Sequence, residues 1–468
     1  MIADSLSQKA SAHSSHVLIL GGGVCGLYAA LTLLRNGIGG TVLEKDERPG
    51  GLAAGHERNG NFYDLGCHML HAHDEEVFET IKGIMGEDRI EVQLDAKIRW
   101  MGNFYRYPLQ FQDMIKGMSL LKLGWYGSAL VASQVWYKIF PREPKDAEEA
   151  LIMLYGKPLY QFFFRDFTHR YWGITPRELS ATFIKSKMPR LSAVDIIKKA
   201  LAKVGVKEKE HMAVESALLD ETLHYSRTGA ETMPRLMSGE VARLGGKILL
   251  NHPVKSVGLS DGKVTSITCE NGEMFEADYC ISTIPMPTMV KSIQPPPPRE
   301  VIDAAASLRY KPIVIYGVLV KQVKCIDALY IYYRRRVFHR VGEPKNAGLK
   351  VTPDGHTVLI VEMTCDKGDG KWTGDPDIWH QIVADLETEN ICKPEDIVEH
   401  HILRCETGYP VFELGFEPYF ETLKKYVDDI PNLWTTGRQG GFCYPNMHKA
   451  MRMGADAADQ VVKLAGLT

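Results

Sequence analysis

The run Val17-Leu18-Ile19-Leu20 is wholly apolar and ends at glycine, a pattern that predicts a short strand buried on both faces. Three glycines follow, at Gly21, Gly23 and Gly26, after which Ala30, Leu33 and Leu34 recur at helical spacing until Asn36-Gly37 predicts a stop. A second strand, Thr41-Val42-Leu43, ends at Glu44. Near the other end, Met447, Ala450, Met451, Gly454, Ala455, Ala458 and Val462 keep the helical period and predict a helix over 446–465. Between them, His252–Val257 and Ala277–Pro285 read as short strands, with hairpin turns at Asp261-Gly262 and Asn271-Gly272. The stretch Leu123–Tyr137 carries no charge for about 15 residues, whereas a bilayer span takes roughly 20, so it predicts a buried helix, with a face resting on a membrane as the alternative.

Length changes this picture first, because 468 residues exceed one hydrophobic core and imply two or three domains. Hydrophobic residues at 45% and charged ones at 24% exclude a disordered or fibrous chain. A net charge of −3 offers no broad basic face, so no nucleic-acid partner is expected. The nine cysteines are scattered without a C-x-x-C pair, which fits reduced thiols in a cytoplasm and argues against a zinc site. Residues 1–15 read as a loose polar tail, and the first apolar run is too short for a signal-peptide core; a cytoplasmic location follows.

The glycine spacing carries the first chemistry. In G-x-G-x-x-G after a strand, Gly21 permits the tight turn, Gly23 lets backbone amides approach a pyrophosphate, and Gly26 lets helix and strand pack closely. The anion then rests on the helix N-terminus, where unpaired N–H groups and the dipole favour negative charge. Glu44 stands where an acceptor for ribose hydroxyls belongs, and it disfavours a 2′-phosphate.

A further pair, Gly50-Gly51, resembles the extended signature of the glutathione-reductase-like FAD proteins, and Asn432–Arg438 resembles their late strand. The resemblance implies FAD as cofactor and an α/β fold. Its Rossmann-like FAD-binding domain is discontinuous, built from 1–75, 226–292 and 405–468, with an inserted α+β substrate domain. Of that insert, 76–225 reads as a mainly helical cap and 293–404 as its sheet. The implied cofactor-binding set is Gly21, Gly23, Gly26, Glu44, Gly50, Gly51, Val254 under the adenine, Gly437, Arg438, and Met447 at the start of the last helix.

Four ordered blocks extend the likeness along the chain: YDLGCHMLHAHDEEVF from Tyr63, FYRYPL from Phe104, LYQFFFRDFTHRYWGITPRELSATFIKSKMPRL from Leu159, and GRQGGFCYPNM from Gly437. They resemble UDP-galactopyranose mutase, and equally the bacterial protoporphyrinogen-oxidase-like or amine-oxidase-like proteins. The mutase resemblance implies that His68 lies against the isoalloxazine, with His71 three residues on. It implies that Arg190 and Arg340 grip a substrate diphosphate, as guanidinium forks can. Phe163, Phe167 and Trp172 would hold the base, unless they are simply core aromatics, and Tyr444 would orient the diphosphate. No metal is expected, because no further ligands gather near the two histidines.

Departures weaken the mutase match. Where the mutases carry Tyr-x-Tyr-x-Asp-Met-Asp, this chain has Phe442, Tyr444 and His448 at the first, third and last places, and Phe167 replaces a tyrosine on the base. The expected function is an FAD enzyme acting on a nucleotide-diphosphate sugar in cell-surface polysaccharide or glycan biosynthesis, by flavin-adduct ring isomerisation or sugar redox chemistry. The alternative is an FAD oxidoreductase that takes hydride from an apolar or amine substrate. With one dinucleotide motif, already given to FAD, electrons would come from an external donor such as NAD(P)H or a reductase. A homodimer is compatible with this reading; membrane contact is not expected.

Overall fold

The computed structural model describes residues 16–107, 113, 119–187 and 222–466. Its organising element is a five-stranded sheet in the order Lys247–Leu249, Gly40–Leu43, Val17–Leu20, Tyr279–Ser282, Leu433–Thr435. Every neighbouring pair is parallel. The central strands are covered on both faces, which is why Val17–Leu20 is continuously apolar and does not alternate. Val17 and Ile19 pack into one core with the first helix, Val24–Arg35, and the C-terminal helix, Met447–Leu464; Leu18 and Leu20 pack into another with Met286, Phe412 and Phe416. Numbered along the chain, the strands run 3-2-1-4-5, and the reversal at Val17–Leu20 opens a crevice beyond their carboxyl ends.

Two glycines set how tightly that crevice is built. A Cβ on Gly26 would collide with the Gly21 carbonyl oxygen, and one on Gly454 with the Cys25 carbonyl oxygen, so turn, first helix and last helix meet backbone to backbone. The segment read as strands and hairpins forms Val254–Ser260, Lys263–Cys269 and Met274–Glu276, an antiparallel meander that turns at Asp261 and Gly262 before Tyr279–Ser282 re-enters the parallel sheet.

A seven-stranded sheet stands beside it, in the order Ile397–Val411, Arg309–Val320, Thr357–Thr364, Arg340–Gly342, Tyr330–Tyr333, Ala96–Trp100, Asn103–Arg106. The last two strands come from the stretch read as mainly helical; parallel pairing of Ala96–Trp100 with Tyr330–Tyr333 recruits them to the sheet. A helical layer packs around Leu130, Leu151, Tyr160 and Trp172.

One expectation is overturned here. The apolar run Leu123–Tyr137 lies in the helix Leu120–Ile139, which is a surface helix: among its described side chains Leu130 alone is buried. The cause is that its inward face is partly polar. Ser133 Oγ donates to the Ile152 carbonyl (2.8 Å) and Gln134 Nε2 to the Leu154 carbonyl (2.9 Å), which turns much of the apolar surface outward. No helix among the described residues is long and apolar enough to cross a membrane. All nine cysteines are free.

Candidate active site

At the carboxyl end of the central strand the glycine turn is locked by its neighbours. Gly21 N donates to the Leu43 carbonyl (2.9 Å), and Gly22 N to Glu44 Oε2 (2.6 Å). Glu44 Oε1 accepts from Asp46 N (2.9 Å), and burial raises the carboxyl's pKa against these two bonds. Each carboxylate oxygen keeps a second lone pair, enough for ribose hydroxyls. The first helix starts at Gly23 with no side-chain cap and no acid in its first turn, which leaves its N–H groups and dipole for an anion.

The other expected cofactor residues border the same crevice. Gly50 N donates to the Gly22 carbonyl (2.8 Å), which lays Gly50-Gly51 along the first glycine turn. His252 N bonds the Glu44 carbonyl (2.8 Å) and Asn251 N the Asp46 carbonyl (3.1 Å), carrying Val254 to the Glu44 side. Gly437 and Arg438 follow the strand Leu433–Thr435, whose exit is pinned by Thr436 N to the Ser282 carbonyl (2.9 Å). Met447 opens the C-terminal helix, which has no side-chain cap either. A collar of close backbone, two uncapped helix starts that offer N–H donors and one buried acid that accepts together fit a dinucleotide.

The chemistry of the adjoining site is set by one row of the larger sheet. Tyr332, Arg340 and Glu362 lie directly opposite one another on three neighbouring strands. Glu362, 1% exposed, accepts from Arg340 Nε (3.0 Å) and from Arg340 Nη2, is bonded by His339 Nε2 (3.0 Å), and accepts from the Tyr409 hydroxyl (3.3 Å). Burial alone would raise this carboxyl, but the Arg340 guanidinium and then His339 hold it well below the usual carboxylate range. Arg340 correspondingly stays charged despite its burial.

His68 faces this row. A Cβ built on Gly66 would stand 3.1 Å from Glu362 Oε2, 3.2 Å from Arg340 Nη2 and 3.6 Å from His68 Cε1, so the three side chains converge on one point. Burial, then Arg438, then Arg340 push the His68 imidazole down to about 4, leaving it neutral at physiological pH. Its Nδ1 is buried with no hydrogen-bond partner among the described residues, an orphaned polar atom that fits a group bound against it. Arg438 donates to the Pro445 carbonyl (3.0 Å), lies 5.8 Å from the Tyr409 ring centroid, and makes no ion pair among the described residues.

Aromatic rings wall the space. Tyr171 packs on His339 (4.7 Å between centroids) and Tyr409 (5.5 Å), and Trp172 lies 6.0 Å from Tyr444. Burial raises the pKa of Tyr171, Tyr332, Tyr409 and Tyr444, so all four remain phenols. Phe167 sits beside Tyr332 (6.0 Å), on the Arg340 side. Phe163 departs from the expected base-binding face and packs inside the helical core against Phe162 (4.7 Å) and Tyr105 (5.7 Å). It belongs to the π-helical turn Tyr160–Phe164 and is buried there.

Arg190 lies outside the described residues. His71 joins His73 and His448 in a group with ring centroids 5.4–5.6 Å apart, away from the Arg340 row; no metal-binding group occurs among the described residues. Sequence reasoning missed Glu362, Tyr332 and Tyr409. The signal for Glu362 was present: it is the only charge in the fully buried strand Thr357–Thr364, and a buried acid demands a cationic partner.

Residues 24–388 match the model of the family described as flavin containing amine oxidoreductase. The dTDP-fucopyranose mutase of Escherichia coli is 24% identical over 172 residues, covering 36% of this chain and 45% of that protein, so the match spans less than half of the relative's length. Among solved structures, reduced UDP-galactopyranose mutase superposes with a TM-score of 0.81 at 20% identity, covering 97% of this chain and 95% of the other. Putrescine oxidase bound to putrescine gives 0.59 at 16% identity, covering 96% and 99%. At these identities the structural likenesses show the shared α/β, Rossmann-like fold. The family match spans most of the sequence and agrees with the dinucleotide crevice: this chain is an FAD enzyme and belongs to the flavin-containing amine oxidoreductase family.

Proposed function

We propose that this enzyme binds a nucleoside-diphosphate sugar beside its flavin and changes the sugar's ring form or oxidation state. The observation that carries this reading is the placement of Arg340: its guanidinium points to the same spot as His68, and not to the outer surface. In this assignment Gly21, Gly23 and Gly26 hold the FAD pyrophosphate, Glu44 its ribose, and Arg438 and the start of the Met447 helix its flavin end. Bound there, FAD supplies the electron-rich or hydride-accepting centre. The chain's residues do the rest. His68, neutral, offers Nδ1 as a hydrogen-bonding edge next to the ring. Arg340, oriented by Glu362, donates from Nη1 to Tyr332 Oη (3.5 Å) and keeps the second Nη1 proton for an anionic oxygen. Arg438 adds a cation with no carboxylate partner among the described residues, Tyr444 and Phe167 bound the substrate, and the ring wall excludes water, which strengthens each of these interactions.

Such an enzyme would work in the cytoplasm on precursors of cell-surface glycans and take electrons from NAD(P)H or a reductase. Anaerobic incubation of the dithionite-reduced holoenzyme with nucleoside-diphosphate hexopyranoses tests it; pyranose–furanose exchange or a net change in sugar oxidation state, read by chromatography, is the expected result. A second reading has its own support. Glu362 already neutralises Arg340, and the wall of Tyr171, Trp172, Tyr332, Tyr409 and Tyr444 would suit an apolar or amine donor. Peroxide release on oxidation of such donors, with every sugar nucleotide inert, would favour that reading.

A further inference from the structure

The helix Leu120–Ile139 is built inside out. At roughly 100° per residue, Leu121, Trp125, Val135, Trp136 and Ile139 fall within about 60° of one line on its surface, and Leu130 lies on the opposite side. Leu130 is the side that packs on the protein, at 2% exposure, whereas Leu121 is 88% exposed, Trp125 64%, Trp136 57% and Ile139 62%. Ser133 and Gln134, which a soluble helix would turn to water, instead bond the carbonyls of the helix beneath. Phe140, 53% exposed, extends the stripe past the last turn. A contiguous exposed surface of this kind is rare on a monomer unless something covers it.

The charge pattern chooses the occupant. The helix has no acidic residue, and its lysines, Lys122 and Lys138, flank the stripe at roughly 100° to either side. Both are exposed, and neither makes an ion pair among the described residues. A second copy of this helix would bring lysines and no carboxylate to meet them. An anionic lipid surface would receive the indole rings at headgroup level and the ammonium groups beside its phosphates. The helix is not long and apolar enough to cross, so it would lie along the surface.

We propose that this helix docks the enzyme on anionic membrane surfaces, with Trp125 and Trp136 inserted and Lys122 and Lys138 at the phosphate level. The test is co-sedimentation of the flavin-loaded full chain at low salt with equimolar phosphatidylglycerol–phosphatidylcholine vesicles and with phosphatidylcholine alone. Expected are pelleting with the anionic vesicles and a blue shift of tryptophan emission. Each lysine near such a surface is worth about fivefold in partitioning, so Lys122→Ala/Lys138→Ala should weaken binding about 25-fold. Trp125→Ser/Trp136→Ser should abolish it, with an unchanged flavin spectrum showing that the fold is intact. Absence of pelleting with anionic vesicles overturns the proposal. So does equal binding to both vesicle types that the tryptophan variant retains, or a dimer in solution that this variant dissociates while vesicles go unbound.

Discussion

Removing the Glu362 carboxylate is the perturbation with the most calculable consequence. In Glu362→Ala the Arg340 guanidinium, 14% exposed, loses both bonds to that carboxylate, while His339 and Tyr409 each lose one partner. Breaking a buried pair from one side costs about 3–5 kcal/mol, against a total stability of about 5–15 kcal/mol for an ordinary domain. Removing both charges is cheaper, so Glu362→Ala/Arg340→Ala should recover about 1–2 kcal/mol of that loss. Urea unfolding of the flavin-loaded protein, followed by tryptophan fluorescence, measures each term. The sign with pH is also fixed. A carboxyl held below its unfolded value of about 4.3 adds stability that is complete above that pH and is lost as pH falls below it, so Glu362→Gln should flatten the acid limb. A single variant within about 1 kcal/mol of wild type, or a double variant less stable than the single, would refute the pairing as the organiser of this site.

Three further outcomes are expected. His68 is held near 4, so its contribution to stability is complete above the unfolded value of about 6.5 and is lost as pH falls from there towards 4. His68→Gln should therefore reduce the slope of unfolding midpoint against pH over that window, with a residual slope from His448, which burial, His71 and His73 also hold down to about 4; an unchanged slope would contradict the site's electrostatics. Gly454→Ala should drive the last helix off the first and lower thermal stability together with flavin content, whereas Ala455→Gly in the same helix should cost only about 1 kcal/mol. Glu44→Ala should lose FAD on purification and Glu44→Gln should keep more of it, since an amide oxygen can still accept from Gly22 N; equal and full flavin content in both would remove Glu44 from the cofactor site.

The crevice was legible because its demands are local. An apolar run with both faces covered, a turn whose third glycine meets a carbonyl, and an acid at the end of the next strand each leave a mark within a few residues. The Arg340 row was not, because its three members sit at 332, 340 and 362 and become neighbours only through antiparallel pairing. The likeness pointed to Arg340 but not to the acid that occupies it. Phe163 was placed at the base by resemblance, with a core aromatic as the alternative, and likeness along the chain does not say that the ring packs on Phe162 and Tyr105. Leu120–Ile139 misled for a different reason: hydropathy counts apolar residues without saying which way they point, and here Ser133 and Gln134 take the inner side.

The central claim is that a diphosphate-bearing ligand binds next to the flavin through Arg340. Anaerobic titration of the reduced holoenzyme with UDP, followed by flavin absorbance, tests this directly in wild type and in Arg340→Ala. The account predicts a saturable change in the flavin spectrum that the variant loses while its FAD content stays full. A flat response in wild type to UDP and to other nucleoside diphosphates, or an undiminished response in the variant, would contradict it.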